Sequence, residues 1–184
     1  MTRTTYYTAT SLDGFIADEQ DSLDWLLSQD QDETGPLGYD EFFAGIGAMV
    51  MGATTYAWVR DHLAATGEAW PYDIPCWVMT HRGLGEPVGE VRASAAPVAE
   101  VHAAMVAAAG GRDLWVVGGG DLAGQFADAG LLDEVVVYVA PVTLGAGRPL
   151  FPRRYDLELL ESARNRAFTC ARYAVVGPRA RPGS

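Results

Sequence analysis

Two places in this chain set glycine between an apolar, strand-like run and the start of a helical segment. In one, Leu114-Trp115-Val116-Val117 leads into Gly118-Gly119-Gly120 and then Asp121-Leu122. The helical segment spans Asp121 to Ala129, with Leu122, Phe126 and Ala129 on one face, and stops at Gly130, where a helix C′ glycine belongs. In the other, Ala48-Met49-Val50-Met51 leads into Gly52-Ala53-Thr54-Thr55 and a helix to about Ala65. The first N–H groups of a helix lack intrahelical partners, and the helix dipole adds partial positive charge there. Glycine lets a phosphate reach that backbone with no Cβ in the way. The glycine triplet therefore suits a phosphate-bearing cofactor, and it equally suits a plain tight turn in an α/β protein.

Composition removes other chemistries. The chain has 184 residues, enough for one domain with a real core, and its formal net charge is -11. Nucleic acid and anionic membrane need a basic footprint, so neither is expected as a partner. All 13 basic residues are arginine. Without lysine there is no Schiff base, no P-loop lysine and no lysine general base. Cys76 and Cys170 lie far apart and read as buried free thiols. His62, His81 and His102 have no metal-ligand spacing, so no metal is expected. The N-terminus carries no apolar signal segment and no run reaches membrane-spanning length, which points to the cytoplasm.

The elements that must position the glycines follow from periodicity. Thr4–Ser11 reads as a strand ending in the Asp13-Gly14 turn, where Asp13 bonds within its own turn. Residues 18–35 form a long acidic loop holding Asp24 and Trp25. A short helix follows over 39–44, then strands at 48–51, 76–79 and 91–93, and an alanine-rich helix over 97–109. Residues 134–141 form a strand without alternation, hence buried on both faces. Residues 144–151 are a glycine-rich loop, and 157–163 with 168–176 form a hairpin around Asn165-Arg166. The count is about eight strands and four helices: an α/β sandwich, mostly parallel with an antiparallel edge, over residues 1–177, then a tail over 178–184. Gly118, Gly120 and Gly124 also make a Rossmann-like G-x-G-x-x-x-G. That fingerprint belongs on a first strand, whereas more than half of this chain precedes it.

Four segments in this order resemble the dihydrofolate reductase fold. They are Ser11-Leu12-Asp13-Gly14-Phe15-Ile16-Ala17, Val50-Met51-Gly52-Ala53-Thr54-Thr55-Tyr56, Trp115-Val116-Val117-Gly118-Gly119-Gly120, and the stretch from Pro141 to Phe151. More closely, the chain resembles the reductase domain of the bifunctional riboflavin-biosynthesis deaminase/reductase and its stand-alone relatives. The resemblance implies an NADPH-dependent reductase that delivers a hydride to a C=N or C=O of a small pterin- or pyrimidine-like heterocycle, and a homodimer through the C-terminal strands. It puts Gly118, Gly119, Gly120, Asp121 and Leu122 on the pyrophosphate, with a cis peptide between Gly118 and Gly119. Ile16 and Ala17 would flank the nicotinamide, and Gly52, Thr54 and Thr55 the phosphates. Thr80, His81 and Arg82 would surround the adenosine 2′-phosphate. Many relatives carry arginine where this chain has Ala53, so Arg82 is expected to substitute; NADH is not excluded.

On the substrate side Ala9, Asp13 and Trp25 are expected, Trp25 as a lid over the ring or a dimer contact. Asp24, Asp40 and Glu41 are the candidate carboxylates, with Asp24 or water as proton donor. Between Arg60 and Arg82 there is no basic residue to grip a folate glutamate. The deaminase signatures are absent, since Pro75-Cys76 is not followed by the zinc pattern. Tyr138 reads as core and Arg148 as a surface or subunit-interface residue. A non-catalytic nucleotide-binding protein of the same fold is the competing class.

Overall fold

A computed structural model describes residues 1–180. The chain enters at the middle of its sheet. Strand β1 (Thr4–Ser11) lies between β6 (Asp113–Gly118) and β7 (Glu134–Ala140) and is parallel to both. On one side the sheet continues from β6 to β3 (Ile46–Gly52), β4 (Cys76–Met79) and β5 (Val91–Ser94), all parallel. On the other, β10 (Phe168–Pro178) and β9 (Tyr155–Asn165) run antiparallel, giving the order β5-β4-β3-β6-β1-β7-β10-β9. The eight-stranded, mostly parallel sheet is the expected fold. The order differs from the Rossmann order 3-2-1-4-5-6, and the glycine junction follows β6 rather than the first strand.

Helices cover both faces. On one, Val101 and Met105 of α4 (Val98–Ala108) and Leu122 and Phe126 of α5 (Gly120–Asp128) bury against Tyr6, Val50 and Val116. The i, i+4 pair in α4 identifies the inward face that alanine richness conceals in the sequence. α3 (Ala53–Thr66) buries Tyr56 and Leu63, and Tyr56 joins Met49, Met51, Cys76 and Val78 in the second core layer. Burial pushes the Cys76 thiol up to about 12, so it is an inert core residue.

Several boundaries differ from the expectation for local reasons. α5 ends at Asp128, which leaves Ala129 exposed. The end is a Schellman cap: Gly130 takes φ 69° while its N–H bonds Ala127 O and that of Leu131 bonds Phe126 O. Helices number five among the described residues. Besides α2 (Tyr39–Ala44), the acidic loop contains a one-turn α1 (Asp24–Leu27). The glycine-rich loop contains β8 (Arg148–Pro149), which pairs antiparallel with β2 (Phe15–Ala17) in a separate two-stranded sheet. The hairpin turns at Arg166-Ala167, one residue later than expected, with φ 52° at Arg166. β10 extends through Pro178, and Arg179 N–H bonds Arg154 O, so the expected tail does not start at 178. Residues 181–184 of that tail lie outside the described residues. No helix among the described residues is long and apolar enough to cross a membrane.

Candidate active site

The parallel strands β1, β3, β4, β5 and β6 end on one edge of the sheet, and a groove of about 1120 Å³ runs along it. Crevices at the carboxyl ends of parallel strands are where open α/β sheets bind ligands. Helices α3, α4 and α5 all begin on this groove, with Gly52–Thr55, Pro97–Val98 and Gly119–Leu122 in its wall. Met51 and Gly118 are register partners, so the first turns of α3 and α5 stand side by side. Their unpaired N–H groups and dipoles make this half of the groove an anion site.

The Gly118–Gly119 peptide is cis, and Gly118 has φ 159°. Gly119 has ordinary extended angles, φ -87° and ψ -175°. A Cβ built on Gly119 would point across to Ile16, 3.7 Å from its Cδ1, so the missing side chain leaves a cradle in the wall. Asp121 and Leu122 are also in the wall. The Asp121 carboxylate is taken up by Gln125 Nε2 at 2.8 Å and Arg153 at 2.9 Å, so it is the Asp121 backbone that an anion can use. Gln125 and Arg153 together hold that carboxyl below its usual range.

The other half is aromatic. Tyr7, Tyr39, Tyr72, Trp115 and Tyr138 line it. Behind them Phe42 stacks on Tyr7 at 4.3 Å and Phe43 on Tyr39 at 5.5 Å. Trp115 Nε1 donates to Tyr7 O at 3.1 Å, and Tyr7 Oη donates to Leu37 O at 3.2 Å. Tyr138 is therefore both core and groove wall. Burial raises the Tyr72 phenol to about 12, so it stays neutral. The flap over residues 32–37 is pinned from the far hairpin. Asn165, 1% exposed, donates from Nδ2 to Asp32 O at 2.8 Å and to Tyr138 Oη at 3.2 Å, and accepts from Asp32 N–H at 3.0 Å.

The expected site residues divide. Ala9, Ile16, Ala17, Gly52, Thr54, Thr55, Thr80, Gly118, Gly119, Gly120, Asp121 and Leu122 all lie in the groove wall. Asp24 and Trp25 do not. Leu26 and Leu27 of α1 and the N-cap residue Leu23 line the groove, while Asp24 is exposed and off it. Trp25 packs instead against the aromatic core layer, so it is not a lid in this structure. Arg82 is exposed beside the wall, its N–H bonded to Thr80 Oγ1 at 3.0 Å. Arg148, expected as a surface or subunit-interface residue, is exposed; it also reaches the groove wall and grips Asp21 with two bonds of 2.6 and 3.0 Å. Neither Asp21 nor the aromatic wall is marked by a local motif; tyrosines and a tryptophan near the sheet's carboxyl edge were the available signal.

Asp13 also stands off the groove and acts as a clasp. Its carboxylate accepts from Ser11 Oγ at 2.6 Å, from Leu144 N–H at 3.0 Å and from Gly145 N–H at 2.7 Å. Ser11 and these two N–H groups lower the carboxyl to about 2. The folded state therefore holds this proton less tightly than the unfolded chain. The clasp stabilises above about pH 4 and is lost as pH falls toward 2. The stability gap between wild type and Asp13→Asn should accordingly narrow from about pH 5 to about pH 2.5 in urea unfolding. A gap that stays constant would remove Asp13 as the cause.

Residues 4–172 match the family model for the RibD C-terminal domain. The uncharacterized protein YwjB of Bacillus subtilis is 32% identical over 153 residues, which covers 81% of this chain and 82% of YwjB. A crystal structure of a Shewanella sp. PV-4 protein assigned to riboflavin biosynthesis has a TM-score of 0.77 at 27% identity, covering 95% of this chain and 99% of that one. At 14% identity and a TM-score of 0.67, the diaminohydroxyphosphoribosylaminopyrimidine deaminase/5-amino-6-(5-phosphoribosylamino)uracil reductase of Thermotoga maritima shares the fold; the match covers 95% of this chain and 57% of that longer one.

Proposed function

The chain belongs to the RibD C-terminal domain family, and from that premise we propose that it is an NADPH-dependent reductase of a small planar heterocycle. The observation that carries the reading is the cradle at Gly119. It sits between two helix N-termini and opens toward a neutral aromatic wall in one continuous groove. The dinucleotide fits the residues present. The backbone of Gly119–Leu122 and Gly52–Thr55 would hold the pyrophosphate, and Ile16 and Ala17 would flank the nicotinamide. Bound there, NADPH would supply a hydride for a C=N or C=O. The chain's own work is positioning: half-buried Tyr39 and Tyr72, backed by buried Tyr7 and Trp115, make an apolar wall that excludes water. Asp21 is held ionised by Arg148 and has no proton to give, and Asp24 lies off the groove. The proton is therefore assigned to groove water or to Glu33, the wall carboxylate beside Tyr39.

The Thermotoga protein is named for a phosphoribosylated uracil. What we carry to this chain is the coarser class, a heterocycle with a reducible C=N or C=O. The homodimer implied by the resemblance would form on the C-terminal hairpin, where Leu157, Leu159, Leu160 and Val176 are exposed.

Titration with NADPH and NADH, followed by tryptophan quenching, tests the reading. Tight NADPH binding supports it, and no binding of either cofactor overturns it. Arg82 is the arginine beside Thr80 and His81, which line the wall at the end of β4. A charge-assisted contact to the 2′-phosphate from Arg82 would be lost in Arg82→Ala, lowering the NADPH:NADH affinity ratio about tenfold. An unchanged ratio would remove Arg82 from this role.

A further inference from the structure

Trp58 is a large aromatic side chain that belongs to neither core layer. It is half-buried in α3. Among the described residues its one aromatic contact is His62, a turn further along the same helix, and the two rings stack at 4.8 Å and 11°. Trp58 lines the groove, whereas His62 does not. An indole offers a broad apolar face with one polar edge, the kind of surface that gains most when a flat ring is laid on it.

Its place on α3 fixes which part of the groove it serves. Tyr56 and Leu63, seven residues apart, are the buried residues of the helix and mark its inward face. Thr55, Trp58, Val59 and His62 follow at i, i+3, i+4 and i+7, so they form one stripe along a flank. Thr55 gives the direction of that flank. Its Oγ1 lies 3.3 Å from the position of a Cβ on Gly118, at the end of β6. Tyr56 Oη instead accepts from Val88 N–H at 2.7 Å, in the loop between β4 and β5. Strands β4 and β6 lie on opposite sides of β3. The stripe therefore points toward β6 and β1, away from Thr80 and His81 at the end of β4, where the reductase reading puts the adenosine.

Trp58 is three residues past Thr55, about 4.5 Å down the helix axis. It stands beyond the turn assigned to the phosphates, on the sheet face of the second core layer. Tyr39, Tyr72 and Leu26 pack on that layer and line the same groove. Hydride transfer needs the acceptor ring beside the nicotinamide, and this is the half of the groove that the glycine junctions do not claim. One face of the indole is turned to His62, which fixes its plane. Little ordering is then lost when a second ring stacks on it.

We infer that Trp58 is the stacking platform for the substrate's heterocycle and that His62 holds it in position. The inference rests on the reductase reading and adds the residue that recognises the ring.

Calorimetric titration of the full-length protein tests it, first with NADP⁺ and then, on the NADP⁺-saturated protein, with pterin, lumazine and riboflavin as flat-ring probes. At least one probe is expected to bind. Trp58→Leu keeps apolar bulk and removes the ring, so it should weaken that probe at least about tenfold, and Trp58→Phe should recover most of the loss. NADP⁺ affinity and the urea midpoint should stay at wild-type values in both, because Trp58 stands past the first turn of α3 and outside both core layers. His62→Ala should weaken the same probe about threefold, with the other two readouts unmoved.

Undiminished probe binding in Trp58→Leu overturns the inference, as does binding of none of the probes to the wild type. An equal loss of NADP⁺ affinity would put the indole on the cofactor, and a lowered urea midpoint would make it packing; either overturns it too. The reductase reading survives each of these results. Absent NADP⁺ binding removes that reading first and the inference with it. Unchanged probe affinity in His62→Ala removes His62 from its role.

Discussion

Gly119→Val is expected to weaken NADPH binding at least about a hundredfold while leaving the protein as stable as wild type. That loss corresponds to roughly 2.7 kcal/mol. The separation of the two effects follows from geometry. Gly119 sits at φ -87° and ψ -175°, in the broad extended region that suits β-branched residues. The nearest neighbour of an added Cβ is Ile16 Cδ1 at 3.7 Å, an ordinary van der Waals contact. The Cβ therefore meets no collision. Valine would instead occupy the space through which a phosphate reaches the first turn of α5. Its methyl groups would stand between the anion and the N–H groups that neutralise it. Tryptophan quenching measures the affinity, and urea unfolding of the same sample measures the stability. A variant that binds NADPH normally would show that the pyrophosphate does not lie at this cradle. One that unfolds would show that the space belongs to packing.

The legible parts of this site are the ones encoded by neighbours in sequence. A strand, a glycine and a helix start are contiguous, so Gly52 and Gly118–Gly120 declare themselves and the structure places all of them in one wall. The unalternating run 134–141 likewise reads as a strand covered on both faces, and β7 (Glu134–Ala140) is buried along most of its length. The parts that the sequence does not show depend on long-range partners. Arg148 becomes a groove residue through Asp21, 127 positions away. Asn165 shapes the flap through Asp32, 133 positions away. Composition contains no trace of either pairing. Asp24 failed for another reason. A helix of one turn has too few residues for a face to show as a period, and leucines of the turn and its N-cap rather than the acid line the groove.

Arginine without lysine leaves its own mark on the site. The guanidiniums near the groove are mostly held by carboxylates, Arg148 by Asp21 and Arg153 by Asp121 and Asp128. Arginine is always charged and forks onto carboxylates, so these pairs persist across the ordinary pH range. The anion site is left to backbone N–H groups, which no side-chain titration can switch off. The acidic chain can thus hold an anionic cofactor at a local site despite its overall charge of -11.

The neighbouring Gly120 should give the opposite phenotype. Gly120→Ala is expected to destabilise the fold by roughly 3 kcal/mol, at the upper end of what overpacking costs. A Cβ on Gly120 would run into the carbonyl oxygens of Pro149 and Leu150, and these are backbone atoms that cannot swing aside. The strap they belong to is fixed from two directions. Leu150 N–H bonds Gly14 O at 2.9 Å, and Tyr6 Oη, from the core of β1, bonds Leu150 O at 3.1 Å. Moving the strap breaks these bonds and displaces Arg148 and Pro149 from the groove wall. Gly124→Ala, one turn further along α5, is the internal control. The nearest atoms to its Cβ would all belong to the Arg153 side chain, with Cγ at 2.8 Å. That chain can shift at the expense of exposed ion pairs worth up to about 1 kcal/mol, and alanine returns about 1 kcal/mol in helix propensity. Urea unfolding should therefore separate the two alanine variants, with Gly124→Ala close to wild type. Equal stability of all three proteins would mean that the strap yields freely, and that glycine at 120 serves the ligand rather than the fold.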